Sequence, residues 1–380
     1  IYIPLISLEG FLHLININQA NSRKVIATNN LIKDAEKDGY KKFHFYNDLL
    51  DHSNNWFPVG GAINSKTYYC DEGYGLVKYK SDRFGMRNID KKWEDIKEKD
   101  MAYFIGDSFV HGACVDNKNT ISDIFEEKSK ITSLNLGSAG ANPIYYKNIL
   151  ETIIKPALKI NKSNKSLVFI LFYSNDNCIS CKKNQIAFQN SEKINFPINY
   201  KNSVIKVSEK YKTILDESIK RIRKSVNIRI KEDNRLIKTD EIYNFLTLKR
   251  FKNHLVKYII SLGILQPYDE SSKTSITIKY LSDICKNNCQ PIVSYIPPSN
   301  YFHNYPGSNR YKNHIQKMAD KYNVKFVNLS NIIDKTKKAD YSPNGPHLSI
   351  LGYSKVAKKL FNDYKKYKKI DKNPLLKINF

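Results

Sequence analysis

The chain has 380 residues, with 62 Lys and Arg against 37 Asp and Glu, a formal charge of +25, and 26 Tyr and 18 Phe. That much aromatic surface excludes a mainly disordered chain, and the absence of a Gly period or a sustained heptad excludes collagen-like and coiled-coil classes. The positive excess is almost all lysine, whereas nucleic-acid readers lean on the planar fork of arginine. The charge therefore reads as a solvated basic surface with no nucleic-acid partner, the composition that AT-rich codons produce.

Residues 1–20 open on Ile1-Tyr2-Ile3-Pro4-Leu5-Ile6, an apolar stretch shorter than the ~20 residues that span a bilayer. The expectation here is the end of a truncated membrane anchor, and so an N-terminal membrane association. Residues 21–98 read as an irregular extension punctuated by Pro58, Gly60-Gly61 and Gly73-Tyr74-Gly75, with short strand-like runs such as 76–79.

From residue 99 the pattern changes. Apolar runs at 101–105, 132–136 and 166–173 read as buried strands, the first two stopped by Gly106 and Gly137. A helix is expected over 142–159, capped by Asn142, entered at Pro143 and kinked near Pro156. Residues 181–268 break the alternation with lysine-rich, helix-like segments, read as a helical insertion. The alternation resumes with a helix at 274–287, a strand at 291–296, a helix at 310–322, a strand at 324–329 and a last helix from Ser349. Strands alternating with helices predict an α/β fold, a doubly wound, flavodoxin-like parallel sheet over 99–380, because parallel strands need crossover connections.

The six cysteines are Cys70, Cys114, Cys178, Cys181, Cys285 and Cys289. The two close pairs, C-x2-C and C-x3-C, stand too far apart for a zinc finger. A local disulfide or buried thiols is the expectation, with no metal and no cofactor.

Ligands of an open parallel sheet sit beyond the carboxyl ends of its strands, so the residues delivered there carry the chemistry. The first strand runs into Gly106-Asp107-Ser108, which puts a hydroxyl at a tight strand-to-helix turn where main-chain N–H groups face an anion. The second ends in Gly137, whose N–H can approach a substrate oxygen, and the third in Tyr173-Ser174-Asn175-Asp176, which offers a side-chain amide. After the last strand come Asp340 and Asn344-Gly345-Pro346-His347-Leu348. A nucleophile, a base and two oxyanion donors at one sheet edge are what acyl transfer needs. His111 reads as packing and Asp107 as a loop organiser, while Arg87 is open between a structural and a substrate carboxylate.

In order and approximate spacing, these fragments resemble the four sequence blocks of SGNH (GDSL-type) hydrolases, over about 99–180 and 270–365. Asp82-Arg83-Phe84-Gly85-Met86-Arg87-Asn88 is similar to a segment preceding the first block in anchored bacterial members. The resemblance implies Ser108 as nucleophile, His347 as base, and an oxyanion hole from the N–H groups of Ser108 and Gly137 with the Asn175 amide. It further implies a serine esterase or deacylase of the cell envelope, acting on an O-acyl (acetyl) ester of a small molecule or glycan through an acyl-serine. An O-acyltransferase to a polysaccharide hydroxyl and an impaired glycan-binding module are the alternatives. One departure stands out: the family places an aspartate three residues before the histidine, and here the residue is Asn344. An amide cannot stabilise an imidazolium as a carboxylate does, so Asp340 and Asn344 are the two candidates to orient His347.

Overall fold

The computed structural model describes residues 29–43, 60–163, 165–177, 269–301 and 308–372, together with 198–199, 206–207, 255 and 259. The apolar segment 1–20 and nearly all of the insertion expected over 181–268 lie outside the described residues.

The sheet follows from three buried runs, two of them apolar almost throughout and the third, 132–137, carrying Ser133 and Asn135 beside its leucines. Strands β4 (Met101–Gly106), β5 (Thr132–Gly137) and β6 (Ser166–Tyr173) are buried almost without a break, as a strand covered on both faces must be. They join β7 (Cys289–Ile296) and β8 (Lys325–Asn328) in a five-stranded sheet of order β8-β7-β6-β4-β5. Every pairing is parallel, with Gly106 opposite Gly137 on one side and Leu171 on the other.

Side chains alternate between two cores, as the two-residue period of a strand requires. Tyr103, Ile105, Val168, Ile170 and Phe172 enter one core. That core is shared with α4 (Pro143–Ile149), α6 (Lys273–Cys285) and α7 (Ser308–Lys321). Ala102, Phe104, Leu167, Phe169 and Leu171 enter the other. There they meet α2 (Ser108–His111), α3 (Ile121–Ser129) and α8 (Ile350–Lys372). Each large apolar side chain so buried contributes about 1.5–3 kcal/mol. These layers make the fold an α/β parallel sheet with helices on both faces.

The helix expected over 142–159 is interrupted. Asn142 caps it through Oδ1, accepting from the N–H groups of Ile144 and Tyr145 at 3.0 and 3.3 Å. A π turn, Leu150–Ile154, then separates α4 from α5 (Lys155–Ile160), with the Lys155 N–H donating to the Leu150 carbonyl five residues back. Pro156 has no N–H to give to the Thr152 carbonyl, so the ladder shifts register one residue before it.

The extension is more regular than its sequence suggests. It carries α1 (Asn29–Lys37) and a small sheet in which β1 (Lys41–Lys42) runs parallel to β2 (Lys66–Tyr68), which pairs antiparallel with β3 (Lys78–Lys80). Beyond β2 the hairpin continues through Tyr69 N–H to the Val77 carbonyl and Val77 N–H to the Cys70 carbonyl, leaving residues 71–76 as its tip. Buried Asp82 organises the end of the extension by accepting from the N–H groups of Phe84 and Met86, the Asn88 amide and the Trp93 indole, and Asn88 in turn ties it to β5 through the main-chain N–H and carbonyl of Asn135. Burial lifts its carboxyl to about 6, although those four donors pull the other way. Among the described residues no helix is long and apolar enough to cross a membrane.

Candidate active site

At the end of β4, Asp107 caps the four-residue helix α2, its carboxylate accepting from the Phe109 N–H at 2.9 Å. Ser108 is therefore the first residue of a helix, where a main-chain N–H has no acceptor within the helix. Its hydroxyl is 2.9 Å from His347 Nε2. His347 reaches it from a loop closed by an antiparallel bridge between Tyr341 and Leu348 and by the Ser342 N–H, which donates to the His347 carbonyl at 2.8 Å. The Phe109 ring packs 5.0 Å from the imidazole.

The partner of the other imidazole nitrogen is Glu72, at the tip of the β2–β3 hairpin. Its Oε1 is 2.6 Å from His347 Nδ1, and its Oε2 accepts the His347 main-chain N–H at 3.2 Å. A carboxylate only accepts, so Nδ1 carries the proton and Nε2 is left to accept from the Ser108 hydroxyl. Burial pushes the imidazole down, but the charge and hydrogen bond of Glu72, joined by the charge of Asp107, outweigh it and raise His347 above its ordinary 6.5. Serine, histidine and a buried carboxylate thus stand in one hydrogen-bonded line.

This arrangement corrects the expectation that Asp340 or Asn344 orients His347. Asp340 is buried one loop away, where Oδ1 takes the Lys355 ammonium at 2.5 Å and Oδ2 the Asp334 N–H at 3.0 Å. Asn344 is exposed, and its main-chain N–H donates to the Glu72 carbonyl at 3.1 Å, so it holds the loop that carries the carboxylate. Gly345 makes the approach possible, since a Cβ there would fall on the Glu72 carboxyl.

The expected oxyanion donors are partly redistributed. Asn175, in the turn after β6, is exposed at the same sheet edge, where its amide helps to draw the Asp107 carboxyl down. Gly137 is a correction: its N–H is spent on Asn135 Oδ1 at 3.0 Å, and its α-carbon packs so closely on α2 that a Cβ would strike the main chain of Val110 and His111. Three residues on, Gly140 is the exposed residue of that turn, at φ +77°.

Around this line the remaining polar groups organise loops. Burial raises Asp107 to about 6, against the pull of the Phe109 N–H, the His347 charge and Asn175. Asp176 is raised well above the usual carboxylate range by burial and by the charge of Asp107, and it accepts from the Tyr146 hydroxyl and the Tyr173 N–H. Arg87 is buried on the loop after α2, donating to the Gly112 and Val115 carbonyls and to Asn117 Oδ1 at 2.6–2.7 Å, a structural role. His111 is buried among Phe43, Tyr69 and Tyr79, with Nε2 3.1 Å from the Tyr79 hydroxyl.

Two disulfides are present among the described residues, Cys70–Cys114 and the local Cys285–Cys289. Among the same residues, one set of side chains is close enough to hold a metal ion: Glu72, Cys114 and His347. It does not fit one here, because its sulfur is committed to a disulfide and its imidazole to Ser108 and Glu72.

Sequence reasoning missed Glu72 because it searched only the strand ends of the sheet. Nothing local distinguishes that glutamate, and its partner lies 275 residues away.

No family model and no curated protein matches the chain. Among solved structures it is similar to Est24, a carbohydrate acetylesterase from Sinorhizobium meliloti, at 10% identity and TM-score 0.39, over 71% of this chain and 100% of that one. It is also similar to an SGNH hydrolase from Slackia heliotrinireducens, at 10% identity and TM-score 0.38, over 70% and 98% of the two chains. A lipolytic protein of the G-D-S-L family from Desulfitobacterium hafniense follows at 12% identity and TM-score 0.35, over 69% and 98%. The chain's own sheet order and flanking helices are those of an α/β fold with a parallel sheet.

Proposed function

We propose that the chain is a serine ester hydrolase working through Ser108, His347 and Glu72. The observation that carries this is the unbroken line from the Ser108 hydroxyl through both imidazole nitrogens to a buried carboxylate, at 2.9 and 2.6 Å. As Ser108 Oγ bonds to the ester carbonyl carbon, its proton passes to His347 Nε2, and Glu72 stabilises the resulting imidazolium. The carbonyl oxygen takes up the negative charge, met by the Ser108 N–H and an N–H of the Asn175 amide. Collapse expels the alcohol, which takes the proton from Nε2 and leaves an acyl-serine. Water then repeats the sequence, giving the carboxylic acid and free Ser108.

The substrate class carried forward from the sequence resemblance is an O-acetyl ester of a cell-envelope glycan. An exported location is supported by the two disulfides, which persist in oxidising compartments. The test is fluorophosphonate labelling of wild type, Ser108→Ala and His347→Ala, followed by acetate release from acetylated polysaccharide. Labelling that requires both residues supports the reading, and a folded wild type that does not label overturns it. Acetyl transfer to an added sugar in place of acetate release would move the reading to an O-acyltransferase.

A further inference from the structure

The carboxylate of the proposed triad comes from outside the α/β sheet, so something must fasten it there. Glu72 sits at the tip of a hairpin that meets the domain through His111, buried among Phe43, Tyr69 and Tyr79, and through two small apolar clusters. One small cluster comprises Phe43, Val77, Tyr79 and Ala139. The other comprises Cys70, Ala113 and Cys114, flanked by Tyr69. The second of these is built around the Cys70–Cys114 disulfide itself.

That bond joins the residue two before Glu72 to the loop that ends α2, six residues after Ser108. Cys114 Sγ lies within 4.8 Å of both a Glu72 carboxylate oxygen and a His347 ring nitrogen. The disulfide is therefore packed against the acid–base pair. The other restraints on the tip are polar: the Asp71 carboxylate accepts from the N–H groups of Gly73, Tyr74 and Gly75, and Asn344 N–H donates to Glu72. The Asp71 bonds only shape the tip internally; its polar attachments to the domain run through Glu72, to Asn344 and His347.

We infer that the Cys70–Cys114 disulfide is a positioning element for Glu72, so that the acid–base pair is assembled only in an oxidised chain. The inference rests on the triad reading above. It makes activity a consequence of oxidation: a chain held in a reducing compartment keeps Ser108 and His347 but loses the fixed carboxylate. Cys114 is 1% exposed and Cys70 9%, so once formed the bond is shielded from thiols unless the hairpin opens. Oxidation then acts as a step of maturation.

The experiment compares wild type with Cys70→Ser/Cys114→Ser, and uses Cys285→Ser/Cys289→Ser as a control for loss of a disulfide remote from the serine. Fluorophosphonate labelling rates and the pH profile of p-nitrophenyl acetate hydrolysis are measured, each variant with and without Glu72→Gln. The inference expects labelling at least about tenfold slower in the first double variant and an acid limb displaced to lower pH, as in Glu72→Gln. Adding Glu72→Gln to that variant then costs less than about twofold, because the two changes remove one interaction. Labelling within twofold of wild type, or a full further loss on adding Glu72→Gln, overturns the inference while leaving the triad reading intact. A wild type that does not label overturns both.

Should the double variant not fold, wild type is reduced with dithiothreitol, which becomes a cyclic disulfide as the two cysteines become thiols. EDTA is included so that the freed Cys114 thiol cannot recruit a metal with Glu72 and His347. Loss of labelling that returns on reoxidation supports the inference, and unchanged labelling after mass-verified reduction refutes it.

Discussion

Replacing Glu72 by glutamine keeps the shape of the side chain and removes its charge. In the wild type Glu72 accepts two hydrogen bonds from His347, from Nδ1 at 2.6 Å and from the main-chain N–H at 3.2 Å. When Ser108 gives up its proton the first of these becomes a bond between an imidazolium and a carboxylate. A hydrogen bond to a charged group is worth about 1.5–3 kcal/mol, and each 1.36 kcal/mol is tenfold in rate. Glu72→Gln is therefore expected to lower kcat about 10- to 150-fold, with KM changed less than about twofold, because the lost interaction strengthens only in the transition state. If the amide turns its NH2 toward Nδ1, the imidazole takes the wrong tautomer and the loss grows, toward the ~10⁴ known for serine-protease triads. The assay is steady-state hydrolysis of p-nitrophenyl acetate, with circular dichroism to verify the fold. A folded Glu72→Gln enzyme with kcat within twofold of wild type would refute the reasoning.

Three further outcomes follow from the same geometry. His347 is raised above 6.5, and a base must be neutral to act, so the acid limb of kcat/KM is expected above pH 6.5 and moves down in Glu72→Gln. The same shift adds stability that is complete below pH 6.5 and is lost as pH rises through the raised value, so the unfolding difference between wild type and His347→Gln is expected to shrink across that window. Gly345→Ala puts a methyl group on the Glu72 carboxyl; kcat should fall as far as in Glu72→Gln, while overpacking lowers stability by about 1–3 kcal/mol in urea unfolding. Wild-type kcat in a folded Gly345→Ala enzyme would show that Glu72 need not sit where it does.

The α/β sheet could be read from the sequence because its strands are local facts. The run 166–173 is β6 residue for residue, and 101–105 and 132–136 each extend by one glycine. A strand buried on both faces is rich in apolar residues, which needs no knowledge of its neighbours. Ser108, Asn175 and His347 were equally accessible, since an open parallel sheet brings its strand ends to one edge. The π turn before Pro156 was foreshadowed only as a kink, because the missing N–H is written in the sequence but the register that absorbs it is not.

The carboxylate was beyond reach for a different reason. The residue at the position of the expected aspartate is Asn344, and the substitute is contributed by a hairpin from the N-terminal extension. It is fastened by a disulfide across 44 residues and admitted by the small side of Gly345. By itself, the sequence determined the elements, the sheet and the residues delivered at its edge, all of which depend on short-range patterning. Only the tertiary structure decided which acid meets His347 and which N–H groups are already spent, because a 2.6 Å contact between residues 275 apart leaves no periodicity in the chain.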